Sequence, residues 1–270
     1  MEGLGNCYIF TETRNNISRI LPGLARSISN INTGIGADGL IVVDSRREPF
    51  SMRIFNSDGS RAELCGNGLR QAALFLKKIR YGNRKKFIID TKAGQFATEI
   101  ISTKANTAIV QTTLGAPDFS AKAVGIKSSG LGLNIKSPVI SKNVKKIDCV
   151  SIGNPHAVIW VNDFDFDWEH IGQALSTDPY FTNGINVHFC RVISPHRFQM
   201  KIYERGSGAT LACGSGAAAC LAVGVMRNYL HKTATAEMPG GKLKLNWNLA
   251  DGEISQIGPV SFICDGEYYY

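Results

Sequence analysis

The apolar positions of this chain recur at two spacings. Short stretches that alternate, or run apolar for a few residues, include "GLIVV", "FSMRIF", "KFIID", "TAIVQTT", "HAVIWV", "INVHFCRV", "FQMKIY" and "KLKLNW". They read as strands, because successive side chains of a strand face opposite sides of its sheet. Few segments read as helix. After Cys65, residues Leu69, Ala72, Ala73 and Leu76 recur at helical spacing. After Cys213, "AAACLAVGV" is apolar on nearly all sides, which predicts a buried helix.

The pattern repeats itself. "FSMRIFN" at 50–56 matches "FQMKIYE" at 198–204, an offset of 148 residues (198 less 50). The same offset carries Cys65 onto Cys213, Gly66 onto Gly214 and Gly68 onto Gly216, without a gap. One repeat of this length is too long for a solenoid and implies two similar domains. The expected class is α+β: two pseudo-symmetric domains, each a mostly antiparallel sheet wrapped round a central helix, with a site in the cleft between them. "GAPDF" at 115–119 reads as the junction, giving domains 1–114 and 115–256. "GEISQIGPVSFI" reads as a last strand that returns, with about residues 257–270, to the first domain.

Composition narrows the function classes. The chain has 270 residues, 44% of them apolar, which is enough for two cores. No apolar run reaches the roughly 18–20 residues of a membrane helix, and the N-terminus lacks a basic segment followed by an apolar one. A cytoplasmic protein is expected. The net charge is +8, but the basic residues are dispersed and no aromatic-interleaved stripe occurs, so nucleic acid is not an expected partner. The 7 cysteines are odd in number and contain no C-x-x-C pair, which argues against a disulfide framework or a structural metal site. Cys149, Cys190, Cys220 and Cys264 read as buried small hydrophobes.

Cys65 and Cys213 read differently. Each precedes G-x-G at the start of a helical pattern. A helix N-terminus carries unpaired amides and partial positive charge, so it attracts carboxylates and is expected to lower a thiol's pKa from about 8.5 toward neutrality. Two such termini facing one cleft would hold a carboxylate and place a sulfur on each side of its α-carbon. One thiolate would remove the α-proton and the opposite thiol would return one, inverting the centre. No phosphate cradle or lysine motif for pyridoxal phosphate stands out, so no cofactor is expected; the glycine-rich amides would stabilise the carbanion. Glu204 and Arg205, matching Asn56 and Ser57, are placed for a cleft role. A racemase acting on a smaller amino acid, or a non-catalytic thiol protein on the same scaffold, remains open at this point.

"NSDGSRAELCGNG" and "YERGSGATLACGSG", together with "GLGN", "GIGADGL", "GNPHAV", "NGINV" and "MPGGKLKLNW", resemble the diaminopimelate epimerase family along essentially the whole chain. Its wider superfamily includes proline and hydroxyproline racemases and isomerases resembling the phenazine-pathway enzyme. The resemblance implies a cofactor-independent isomerase that interconverts LL- and meso-diaminopimelate for lysine and peptidoglycan biosynthesis, usually as a homodimer. It implies Cys65 as proton donor and Cys213 as acceptor in the LL-to-meso direction. Gly66, Asn67, Gly214 and Ser215 would hold the reacting carboxylate. Asn6, Asn56, Asn154, Asn186 and Arg205 would bind the other polar groups, and Glu204 the reacting ammonium, with His156 close by. His156 and Asn186 could instead order their turns. Two departures stand out: "GLGN" begins at Gly3, whereas in the family it follows a strand of about ten residues, so that strand is expected to be missing here, and Cys7 occupies the place of an Asp. At Gly39 no side-chain contact to substrate is expected.

Overall fold

A computed structural model describes residues 1–13, 19–127, 130–135 and 146–270. Contacts divide the chain into two units, Met1–Thr113 with Ile257–Tyr270, and Leu114–Gln256. In the first, β1 (Glu2–Gly3), β2 (Asn6–Glu12), α1 (Leu21–Ser29), β3 (Gly39–Asp44), β4 (Phe50–Asn56), β5 (Arg61–Ala62), α2 (Gly66–Ile79), β6 (Lys86–Thr91), β7 (Gly94–Lys104) and β8 (Thr107–Thr113) follow in order. The second holds α3 (Ala121–Val124), β9 (Asp148–Ser151), β10 (Pro155–Trp160), α4 (Trp168–Ser176), β11 (Asn186–Ser194), β12 (Arg197–Glu204), β13 (Gly208–Ala209), α5 (Gly214–Met226), β14 (Thr233–Met238) and β15 (Gly241–Trp247). The last strand is β16 (Ile254–Ser261).

The sheet of the first unit runs β1-β2-β3-β4-β6-β7-β8-β16, and β1 also pairs with β16, Glu2 opposite Ser261, which closes it on itself. The second runs β15-β14-β12-β11-β10-β9. Most neighbours are antiparallel. The parallel pairs are β2–β3 and β4–β6 in the first unit, and β10–β11 and β12–β14 in the second. A parallel pair cannot be joined by a tight hairpin and needs a crossover. The helices supply it: α1 and α4 link the first parallel pair of each unit, α2 and α5 the second. The repeat seen in the sequence is therefore also a repeat of topology.

α2 and α5 are the buried crossovers. Leu69, Ala72, Ala73 and Leu76 of α2 are fully buried, as their spacing predicts, and α2 packs on β1, β2, β6, β7 and β8. In α5 every residue from Gly214 to Gly224 is buried, against β9, β10, β11 and β15. Each fully buried Leu or Val contributes about 1.5–3 kcal/mol, so these helices are fixed by burial more than by propensity. Several elements escape the sequence pattern. β2, β7 and β14 are absent from the strand pattern, β7 because its solvated face carries Glu99 and Thr103 among its apolar positions. α1 contains Pro22 and Gly23, which read as a turn. The proline sits in the first helical turn, where it costs no hydrogen bond, and Leu21, Ala25 and Ile28 face the core.

Candidate active site

Each cysteine caps its helix in the same backbone conformation: Cys65 with φ −140 and ψ 109, Cys213 with φ −136 and ψ 110. Extended backbone at the N-cap turns the first amides of the helix toward the thiol. The two surroundings differ in detail.

In the first unit the Gly68 amide donates to Cys65 Sγ at 3.2 Å, closing a sulfur cap. Cys65 Sγ donates in turn to Asn6 Oδ1 at 3.6 Å, and Asn67 Nδ2 approaches the same oxygen at 3.5 Å. Asp38 fixes this corner: one carboxylate oxygen accepts from Asn6 Nδ2 and from the Cys7 amide, both at 2.7 Å. Asn67 is buried, and its Oδ1 accepts from the Arg70 guanidinium. Asn6, Cys65, Gly66 and Asn67 thus come together. Asn56, at the end of β4, donates to Ser60 Oγ at 3.0 Å instead, and joins no bond with them. Burial pushes the Cys7 thiol up, against the pull of the N-terminal ammonium.

In the second unit Cys213 is 5% exposed. Its sulfur lies 3.7 Å from Ser215 Oγ, and the Gly216 amide faces it without reaching the full capping hydrogen bond that Gly68 makes to Cys65. The thiol is pushed well above its ordinary pKa, first by burial and then by the negative charge of Glu204, against the opposing pull of Gly216 and Ser215. This corrects the expectation that its helix N-terminus lowers it. In a site this dry, desolvation outweighs the partial charge of one helix end. Glu204 accepts from Thr210 Oγ1 at 2.8 Å. Asn186 spends most of its side chain internally: Oδ1 accepts from the Arg205 amide at 3.0 Å and Nδ2 donates to the Pro155 carbonyl at 2.9 Å. Arg205 gives one guanidinium donor to the Asn183 carbonyl at 2.7 Å.

Behind α5 lies a buried relay. His156 Nε2 and Asn154 Oδ1 are 2.8 Å apart, and His156 Nδ1 and His188 Nε2 are 2.9 Å apart. Asn154 Oδ1 can only accept, so Nε2 of His156 carries its proton. In a neutral ring Nδ1 then accepts from His188, and His188 Nδ1 is left as a buried lone pair without a partner among the described residues. Burial keeps both imidazoles neutral: His188 is pushed down to about 3, and His156 well below its usual range by burial, by His188 and by Arg205. The His188 ring leaves no room beside Gly216, where a Cβ would sit 2.3 Å from its Cε1. Gly216→Ala is therefore expected to lower stability by about 1–3 kcal/mol, read as a drop in the urea midpoint at constant slope. An unchanged midpoint would mean that the ring moves freely.

Arg70, Asp38 and His188 are the members of these two clusters that sequence reasoning missed. An arginine in the apolar helical pattern of Leu69, Ala72, Ala73 and Leu76 was a usable signal for the first. Cys149, Cys190 and Cys220 are buried as expected, and Cys190 and Cys220 lie 3.1 Å apart. Cys264 is exposed, not buried, because it follows the end of β16 in the C-terminal segment.

The profile of the family described as Diaminopimelate epimerase matches residues 1–119 and 149–263. The chain belongs to the diaminopimelate epimerase family. A diaminopimelate epimerase of Methanococcus maripaludis is 34% identical over 275 residues, covering 99% of this chain and 97% of that protein. One from Geobacillus kaustophilus is 35% identical over 280 residues, covering 100% and 95%. Among solved structures, a hydroxyproline epimerase from Agrobacterium vitis aligns over 96% of this chain and 87% of its own with a TM-score of 0.62; at 13% identity that likeness bears on the fold alone. The chain therefore shares its α+β fold with that structure over nearly its whole length. Among the described residues no helix is long and apolar enough to cross a membrane.

Proposed function

We propose that this chain interconverts LL- and meso-diaminopimelate by 1,1-proton transfer between Cys65 and Cys213, without a cofactor. The observation that carries the reading is the matched pair of thiols, each the N-cap of a buried crossover helix with nearly the same φ and ψ, in a chain of the diaminopimelate epimerase family. In the LL-to-meso direction Cys213 takes the α-proton as thiolate, and Cys65 gives its own S–H proton to the opposite face of the carbon. The C–H bond broken on one side is replaced by a C–H bond on the other, and the thiolate passes from Cys213 to Cys65. Transfer in the meso-to-LL direction restores it.

The weak acidity of the α-carbon is met by the amides at Gly66, Asn67, Gly214 and Ser215. They hold the carboxylate and stabilise the charge that develops on it in the transition state. Glu204 binds the reacting ammonium. This pairing also activates the base: once the ammonium neutralises Glu204, the negative charge that holds Cys213 protonated is offset. Asn6, Asn56, Asn154 and Arg205, with the remaining Asn186 N–H, bind the distal ammonium and carboxylate. His156 holds Asn154 by its oxygen and so leaves the Asn154 Nδ2 donors for substrate. The enzyme is read as a cytoplasmic homodimer.

The test is exchange and inversion in deuterated water. LL-Diaminopimelate should acquire α-deuterium and approach the meso form, with metal chelator and hydroxylamine present. Lysine keeps the distal ammonium but lacks the second carboxylate. It would leave Arg205 and its neighbouring amides desolvated and unpaired, at about 1–3 kcal/mol each. Two such losses correspond to roughly a hundredfold lower kcat/KM for lysine. Comparable values for the two substrates would move the chain to a general amino-acid racemase.

A further inference from the structure

α2 carries a buried charge that the proposed chemistry has not used. Arg70 has 0% exposure, on a helix buried on all sides from Gly66 to Leu76. No carboxylate of the described residues forms an ion pair with it. Its side chain folds back to the first turn, where Nη1 donates to the Gly66 carbonyl at 3.4 Å and Nη2 to Asn67 Oδ1. Nε is buried without a hydrogen-bond partner among the described residues. A cation taken out of water without a counter-charge costs several kcal/mol, and a residue that only filled space here would be apolar.

The bonds of Arg70 set the orientation of the amides around Cys65. By holding Asn67 Oδ1 it turns Asn67 Nδ2 toward Asn6 Oδ1, and Asp38 holds Asn6 from the other side. Asn6 Oδ1 is the acceptor of the Cys65 S–H. We propose that Arg70 is a positioning residue for Cys65: it locks the Asn67 amide and supplies, from beneath the helix, the fixed positive charge that balances the Cys65 thiolate. Electrostatics agree with the geometry. Burial pushes the guanidinium down to about 10, and the charge of Cys65 pushes it back up. The interaction is reciprocal, so the guanidinium favours the thiolate to the same degree. The other charges at this corner are Asp38, which holds Asn6 and the Cys7 amide, and the N-terminal ammonium and Glu2, which act on the neighbouring Cys7. Asp38 disfavours a thiolate, and Arg70, bonded to the two residues that follow Cys65, is the cation on the thiol's own helix that opposes it.

The proposal rests on the reading of Cys65 as a proton-transfer thiol, but its test does not use epimerisation. The pH dependence of Cys65 alkylation by iodoacetamide, followed by peptide mass spectrometry in a Cys213→Ser background, reports the thiolate directly. Arg70→Met should raise the midpoint by about one pH unit, equivalent to about tenfold slower alkylation at neutral pH. Arg70→Lys, which keeps the charge, should shift it by less than half as much. An unchanged midpoint in Arg70→Met protein with native circular dichroism would overturn the proposal. Should Arg70→Met not fold, the unsubstituted Arg70 decides it. Its Nε–H resonance should titrate with the Cys65 midpoint in ¹⁵N NMR and lose that step in Cys65→Ser; a resonance that ignores the thiol sinks the proposal equally. If alkylation responds as expected but Cys65→Ala keeps its turnover, the functional reading fails and the Arg70 assignment stands.

Discussion

Cys65→Ala and Cys213→Ala should each lower kcat for diaminopimelate inversion by about 10²–10⁴-fold or more. A positioned acid or base contributes about that much, and inversion needs one on each face of the carbon. The surroundings leave little to replace them. Next to Cys65 stand the side-chain amides of Asn6 and Asn67 and the backbone amide of Gly68, none of which titrates near neutrality. Next to Cys213 stand the Ser215 hydroxyl and the carboxylate of Glu204, the latter assigned to the substrate ammonium. Cys7→Ser should keep most of the activity, since what Asp38 binds at Cys7 is its backbone amide. Steady-state inversion of LL-diaminopimelate by each purified variant is the measurement. Near-normal turnover in Cys65→Ala would end the two-thiol mechanism.

The second large effect is a loss of stability in mild acid. His156 and His188 are both fully buried and held neutral, His188 with its pKa lowered to about 3. In the unfolded chain each returns to about 6.5. Below that pH the unfolded state binds more protons than the folded one, so stability falls as pH falls and is fully present above it. Between pH 7.5 and 5.5 each histidine takes away about 1.4 kcal/mol, and the pair about 3 kcal/mol. Carboxylates also begin to titrate in this window, so the informative quantity is a difference between proteins. The change in urea midpoint from pH 7.5 to 5.5 should shrink by most of that amount in a His156→Gln/His188→Gln variant, whatever its stability at pH 7.5. If the variant keeps the full acid sensitivity, the relay is not its source. The same neutrality implies that neither ring contributes a limb to the pH profile of kcat between pH 5 and 8.

The candidate residues for the chemistry were legible before any coordinate. Cys65 and Cys213 stand out because an ungapped repeat, a following G-x-G and a helical apolar pattern coincide, and all three are local properties that a linear chain displays. The burial of α5 is legible for the same reason: a segment apolar on every side can satisfy itself only inside. α1, β7 and β14 were not legible. Their type was decided by partners elsewhere in the chain, so a proline at a helix start and polar residues on a solvated strand face misdirect local rules.

The tertiary structure decided the rest through burial, which no local pattern measures. It set the direction of the Cys213 shift, because desolvation and the Glu204 charge together exceed the pull of a helix end. It showed that Asn186 is mostly consumed in holding Arg205 and Pro155, so that a residue carried over as a ligand is also a structural brace. It brought Asp38 beside Asn6, over 32 positions of chain, and His188 beside His156, over another 32. Arg70 marks the boundary most clearly. Its position on the thiol-bearing helix can be read from the sequence, but that it is a cation in a dry interior, bonded to the two residues after Cys65, follows only from how the sheet encloses α2. Charge has a sign in the sequence; its strength depends on how much water the fold removes around it.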